Sequence, residues 1–431
     1  GLGGTTSAPF SSGQYNTAVG YQALKAFTTG EQNVAIGRQA GIAITSGDDN
    51  IVIGKSVATN LTTGTNNIAI GEDALDLENT GTYQIAIGYR AGYKNRLSDT
   101  SYNTFIGNSA GRENTSGNDN TYIGNGAGYG VDAGHGDNNT AVGKYAIFHI
   151  LGDNTTAIGN EAGYYASGSS NTFVGSEAGK GGTSSAPYSS GEKNVAIGYQ
   201  ALTNFTTGER VVAVGYNAGA SLTTGGQSVF IGHNAGDAIT DNYRNIAIGD
   251  NALSEDADDD NIAVGFFALK ALAGGGSGNI GIGTRAGETI TTGVRNIAIG
   301  WRTMWDLDAG SNSSDSEDNI AIGYAAMNGT WANTRSDKNV AIGSYSMDGA
   351  LDGANDNVAI GHETLSSITT EDANVAVGSQ AMFQGGGSQN IAIGDKAMYQ
   401  GPTGGTNYAI GRYSMMDCNA GSNALSSNSN I

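Results

Sequence analysis

Residues 194–202 read NVAIGYQAL and residues 16–24 read NTAVGYQAL, one phrase written twice, 178 positions apart. Variants run along the whole chain, among them NVAIGRQAG at 33–41, NTFIGNSAG at 103–111 and NTFVGSEAG at 171–179. The Gly that closes Asn-x-Ala-Ile/Val-Gly recurs 23 times between Gly20 and Gly411. The resulting period of about 17 residues is far below domain size, so the chain is read as a repeat architecture before any domain counting.

The residue before this marker Gly is always Ile or Val, the residue two before that is mostly Thr, Val or Ile, and Ala usually lies between them. Alternation with a period of two and β-branched residues on one face predicts a strand of about five residues rather than a helical turn. A Gly-x-x-Ala segment follows and is expected to form a second short strand. A polar turn then closes the unit, often as Thr-Thr-Gly, as at 28–30, 62–64 and 206–208.

Such a unit cannot bury its apolar face alone, so units must stack. The expected fold is all-β, a parallel β-solenoid of about 23 coils with a period of about 17 residues. At about 4.8 Å per coil it makes a rod on the order of 100 Å long. In this reading the Ile and Val side chains turn inward. The middle residue is Ala in most units but Phe105, Tyr122, Phe173 or Phe230 in others. A position accepting both sizes is expected to face a neighbouring chain or solvent, with an Ala-lined side suited to close approach of other rods. The Asn opening each unit is a candidate ladder from coil to coil, and a local Asx turn accounts for it equally well.

Composition narrows the function classes. Gly is abundant (70) and Pro scarce (3), without the three-residue period of collagen. The apolar residue ahead of every marker Gly argues against disorder. A formal charge of −20 repels phosphate backbones and anionic headgroups, so nucleic acid is not an expected partner. No apolar run reaches membrane-spanning length, and no membrane insertion is expected in this segment. The single cysteine, Cys418, forms no internal disulfide.

A longer repetition lies over the short one. Gly1–Gly41 matches Gly179–Gly219 at 27 of 41 positions. The chain is accordingly divided into a first solenoid block, 1–178, a partial duplicate of it, 179–300, and a Met/Leu-rich run of coils, 301–431, continuous with the rest. Four residues past the marker, early units often carry Gly (Gly41, Gly92, Gly111), whereas the late run carries Met304, Met327, Met347, Leu365, Met382, Met398 and Met415. This register is expected to be a stacked apolar core, in a coil packed differently from the early ones. Neither end carries a polar cap, which points to a longer parent chain or to ends that join subunits in a fibre.

Tandem units of this type resemble the head repeats of trimeric autotransporter adhesins, and the longer NTAVGYQAL…TTG…NVAIGRQAG form resembles the repetitive shafts of phage-type tail fibre proteins. The resemblance covers essentially the whole chain. It implies a left-handed β-roll, commonly a homotrimer, displayed at a cell or virion surface for attachment.

Residues suited to chemistry are sparse. His135, His149, His233 and His362 fall in separate coils without metal-ligand spacing, and Gly54-Lys55-Ser56 lacks the upstream Gly of a phosphate loop. Acidic residues just ahead of the opening Asn are better candidates. Asp48, Asp49, Asp258, Asp259, Asp260 and Asp318 offer oxygen-rich turns at a fixed register, suited to calcium between coils or to a solvated rim. No other cofactor is expected. Aromatics after the marker Gly (Tyr21, Tyr89, Tyr199, Tyr216, Phe266, Trp301, Tyr324) are candidates for stacking on sugar rings, as well as for simple outer-face β-propensity. The expected protein is a non-catalytic extracellular fibre or adhesin segment at a cell or virion surface, attaching to a host glycan or protein receptor through exposed loops. The alternative is a filament or matrix protein whose main partner is itself, as homotrimer or end-to-end fibre.

Overall fold

The computed structural model describes residues 11–95, 100–130, 135–149, 151–185, 188–305, 315–331 and 334–416. Pro9, Pro187, Cys418 and both chain ends lie outside them. The chain divides into two compact units, Gly1–Val214 and Gly215–Ile431. The first carries twelve strands, from β1 (Thr17–Val19) to β12 (Val212–Val214), and the second eleven, from β13 (Val229–Ile231) to β23 (Tyr408–Ile410). Each unit is a parallel β-solenoid, and the total of 23 strands equals the number of marker glycines.

Within a unit, successive coils pair in strict register, as in Ile51↔Ile68, Val52↔Ala69 and Ile53↔Ile70. Every strand is three residues long rather than five. The marker Gly ends it. Gly54 has φ +146°, and a Cβ there would lie 2.6 Å from the carbonyl oxygen of Gly71, the marker of the next coil. Marker glycines therefore stack backbone on backbone, where no side chain fits.

The expected second strand is not formed. Past the marker, positions two and four hold positive φ in coil after coil, as at Gln22 (61°) and Leu24 (45°). This change of hand breaks the extended geometry a strand needs. The backbone still bonds between coils, with Gln39 N–H donating to Tyr21 O at 2.8 Å and Leu24 N–H to Ala40 O at 3.1 Å. These bonds hold large residues in a left-handed conformation that is costly in isolation.

The inside and the outside of the strand are the reverse of the sequence expectation. The middle residue points inward: Ala35, Ala69, Phe105, Tyr122, Phe173 and Phe230 are all fully buried. The flanking Ile and Val face outward and stay half-covered, Ile36 at 38% and Ile158 at 42% exposure. Among the described residues, the strands present no Ala-lined side open to a neighbour.

The reason an interior position accepts both Ala and Phe lies across the coil. Opposite the strand centre sits the residue four past the marker. Where the centre is Ala18, Ala196 or Ala359, that residue is Leu24, Leu202 or Leu365. Where the centre is Phe105, the surrounding residues are Gly92 and Gly111, whose added Cβ atoms would come within 2.8 and 2.5 Å of the ring. Phe173 lies between Gly163 and Gly179, and Phe230 between Gly219 and Gly236, in the same way. Where both positions are small, as at Ala35 and Gly41, Ile44 fills the space, its Cδ1 2.7 Å from where a Gly41 Cβ would lie, so close packing is met from different walls in different coils.

The methionine register is this same slot. Met304, Met327, Met347, Met382 and Met398 are fully buried where other coils hold Leu, so the late coils use the early ones' packing. Two further columns complete the core. Ala fills the position three past the marker in most coils, with Val57, Thr303, Ser346 and Thr364 buried there in others, and residues such as Ile44, Leu61, Phe205, Leu222 and Ile290 are fully buried at the position seven past it.

Candidate functional site

The opening Asn forms the ladder. Asn33 donates its backbone N–H and its Nδ2–H to Oδ1 of Asn16, at 2.9 and 3.1 Å, and its Nδ2–H also reaches Gly47 O at 2.8 Å. Asn50 and Asn67 repeat the arrangement, and Asn319, Asn339 and Asn357 do so in the second unit. These amides are fully buried, so the ladder satisfies donors and acceptors that water does not reach. At Val211 the side chain has no amide to pass the pattern on. Ser228 gives a shorter substitute, accepting from Asn245 N–H at 3.1 Å while Asn245 Nδ2 is left buried without a partner.

Some of the acidic residues ahead of the Asn, Asp48 among them, belong to a second ladder that sequence reading missed. Asp48 Oδ1 accepts from the backbone N–H of Glu31, one coil back, at 2.7 Å. Asn118, Asp137 and Asp153 N–H donate in turn to Asp137 Oδ1 (2.7 Å), Asp153 Oδ1 (2.8 Å) and Ser169 Oγ (3.1 Å). In the second unit the chain runs from Glu317 through Asp337, Asn355 and Asp372 to Ser388. The signal was present in the sequence, since every accepting side chain in those runs is Asp, Asn or Ser, short enough to accept from a neighbouring backbone.

The calcium candidates are placed as follows. Asp49 is exposed and takes φ 57°. Asp258 offers its backbone carbonyl to Asn261 Nδ2 at 2.9 Å. Asp259 and Asp260 converge on Arg244, which contacts Asp259 Oδ2 at 3.0 Å and Asp260 Oδ1 at 2.5 Å. Asp318 pairs with Arg295 through two hydrogen bonds, at 2.6 and 3.0 Å. The guanidinium beside each holds the Asp260 and Asp318 carboxyls below the ordinary carboxylate range. Among the described residues, no group of three or more His, Cys, Asp or Glu side chains is gathered in a metal-binding arrangement.

The histidines are dispersed. His135 is 6% exposed, its Nδ1 accepts from Thr115 N–H at 3.2 Å, and burial pushes its pKa down to about 4. His149 lies in an aromatic cluster with Phe148, Tyr164 and Tyr165. His233 faces Asp250 at 3.2 Å, and His362 lies 3.8 Å from Glu363. Lys55, beside the phosphate-loop near-match, pairs with Glu72 at 2.5 Å.

The aromatics after the marker are on the surface, from Trp301 at 38% to Tyr21 at 68% exposure. Some form continuous stacks between coils. Trp301 and Tyr324 are stacked 4.8 Å apart and 12° from parallel, and Tyr345 meets Tyr324 edge-on at 5.3 Å. An open depression of about 410 Å³ lies beside them, lined by Tyr345, Asp348, Glu363, Ser366, Ser367 and Phe383. Among the described residues no helix is long and apolar enough to cross a membrane. No protein-family model matches the chain, and no curated protein is found to be its relative.

Proposed function

We propose that this chain is a non-catalytic structural element of an extracellular fibre or adhesin, in which copies associate along the outer face of the sheet and the surface loops make contact with a receptor. The supporting observation is the composition of that face. Its two columns contain only Ile, Val and Thr, apart from Tyr408, in a chain of net charge −20. Half-exposed aliphatic residues repeat there from coil to coil, as at Ile197, Ile231, Ile282, Ile342, Ile360 and Ile393. Contiguous apolar surface of this extent marks an association face, and parallel sheets are ordinarily covered on both sides.

The interior supports the same reading. The buried Asn side chains and a row of Asp, Asn and Ser side chains are engaged in coil-to-coil ladders, which give length and stiffness. Mass measurement and negative-stain imaging test the proposal. Discrete oligomers or filaments are expected, and substituting Lys for Ile197 and Ile342 should disperse them. A monomer at all concentrations, or assemblies indifferent to both substitutions, would rule the association out.

A further inference from the structure

We propose that the surface around Lys270, Arg285 and Arg302 binds an acidic saccharide, its carboxylates held by the three cations and its rings laid on Trp301 and its neighbours. The patch spans the coils whose strands are Ile262–Val264, Ile280–Ile282 and Ile297–Ile299. The Arg302 guanidinium lies between two indoles, 4.4 Å from the Trp301 ring and 4.2 Å from the Trp305 ring. Lys270 Nζ sits 4.4 Å above Phe267, and Arg285 approaches the same ring at 5.6 Å. Trp301 stays 38% exposed and continues through its stack into Tyr324, 43% exposed.

Cation–π pairs of this kind also stiffen a surface in the absence of any ligand. Two observations go further. In this acidic chain most described arginines meet carboxylates, as Arg244, Arg295, Arg335 and Arg412 do. Neither Lys270 nor Arg302 meets one among the described residues, and Arg302 Nε is buried without a hydrogen-bond partner. Among the described residues, the acid that meets this group is Glu288, shared by Arg285 at 3.5 Å and Trp305 Nε1 at 2.8 Å. Among the described residues the patch is therefore cationic and aromatic, on a molecule of charge −20. That balance suits a ligand with spaced carboxylates and flat ring faces, whereas the dense phosphates of a nucleic acid meet the repulsion of the whole chain.

The proposal deepens the receptor-contact reading above by naming a ligand class. Binding by the purified protein and assembly into fibres are measured separately, so either idea fails without the other. The test is calorimetric titration at physiological salt with polygalacturonate and hyaluronate, alongside dextran and a DNA duplex. Binding is expected for at least one uronate polymer and not for dextran or DNA. Arg302→Gln and the more peripheral Lys270→Gln should each weaken it at least tenfold with unchanged melting. No uronate binding, equal binding by both folded variants, or DNA binding of equal strength overturns the proposal.

Discussion

Asn50 sends two donors to one atom: its backbone N–H and its Nδ2–H meet Oδ1 of Asn33 at 3.1 and 3.0 Å. Its own Oδ1 accepts the same pair from Asn67, and its Nδ2–H also bonds Gly64 O at 2.8 Å. Asn50→Ala removes an acceptor from two buried donors and a donor from a buried carbonyl. At about 1–3 kcal/mol for each orphaned group, the first unit should lose roughly 3 kcal/mol or more. Urea denaturation followed by circular dichroism measures this, and a loss below about 0.5 kcal/mol would mean that water replaces the ladder.

The reverse change is available where the ladder is thin. Ser228→Asn supplies Asn245 Nδ2, buried and unpartnered, with an acceptor one coil back. The second unit should gain about 1 kcal/mol. A lower melting temperature for this variant would show that the site has no room for the amide.

Phe105 and Gly111 fill one slot between them. Phe105→Ala alone should cost about 3–5 kcal/mol through the cavity it leaves. Gly111→Leu alone drives a side chain into the ring and should cost at least as much. The double variant reproduces the Ala18 and Leu24 arrangement and should recover more than half of the summed loss. A double-mutant cycle on denaturation midpoints checks the coupling, and simple additivity would refute the shared slot.

His135 makes stability depend on acid. Its folded pKa of about 4 lies below the ordinary 6.5, so the fold favours the neutral ring. The contribution is fully present above pH 6.5 and is lost as pH falls from there towards 4, by up to about 3 kcal/mol. Melting curves across that range should converge for the wild type and His135→Gln at the acid end. Parallel curves throughout would show that the ring titrates freely.

Chelation addresses the acidic turns. Because Asp48 caps a backbone N–H and Asp259, Asp260 and Asp318 are bonded to Arg244 or Arg295, removing divalent ions should leave the melting temperature unchanged. A rise on adding millimolar calcium would show instead that these carboxylates leave their protein partners for the ion.

Much of the fold is legible in the repeated phrase. Each marker Gly predicts one strand, because backbone geometry acts over a few residues, whereas the Asn four residues before it is compatible with a ladder or an Asx turn until the next coil is in place. The second ladder is visible as a register of Asp, Asn and Ser, but the sequence presents it as calcium-binding turns or a solvated rim, since a carboxylate ahead of a turn looks alike whether it faces an ion, water or a neighbour's N–H. The Lys270–Arg302 patch draws its cations from three coils, and only stacking brings them together.

The period, the stacking and the parallel strands were determined by the sequence alone. Which side of each strand faces inward was decided by the tertiary structure. An alternation of period two separates two faces without saying which is buried, and here both faces are apolar. Ala and Phe are inside because Leu, Met or Gly from the opposite wall adjusts to them, and Ile and Val are outside because the space is already filled. That balance of volumes exists only once the coil has closed.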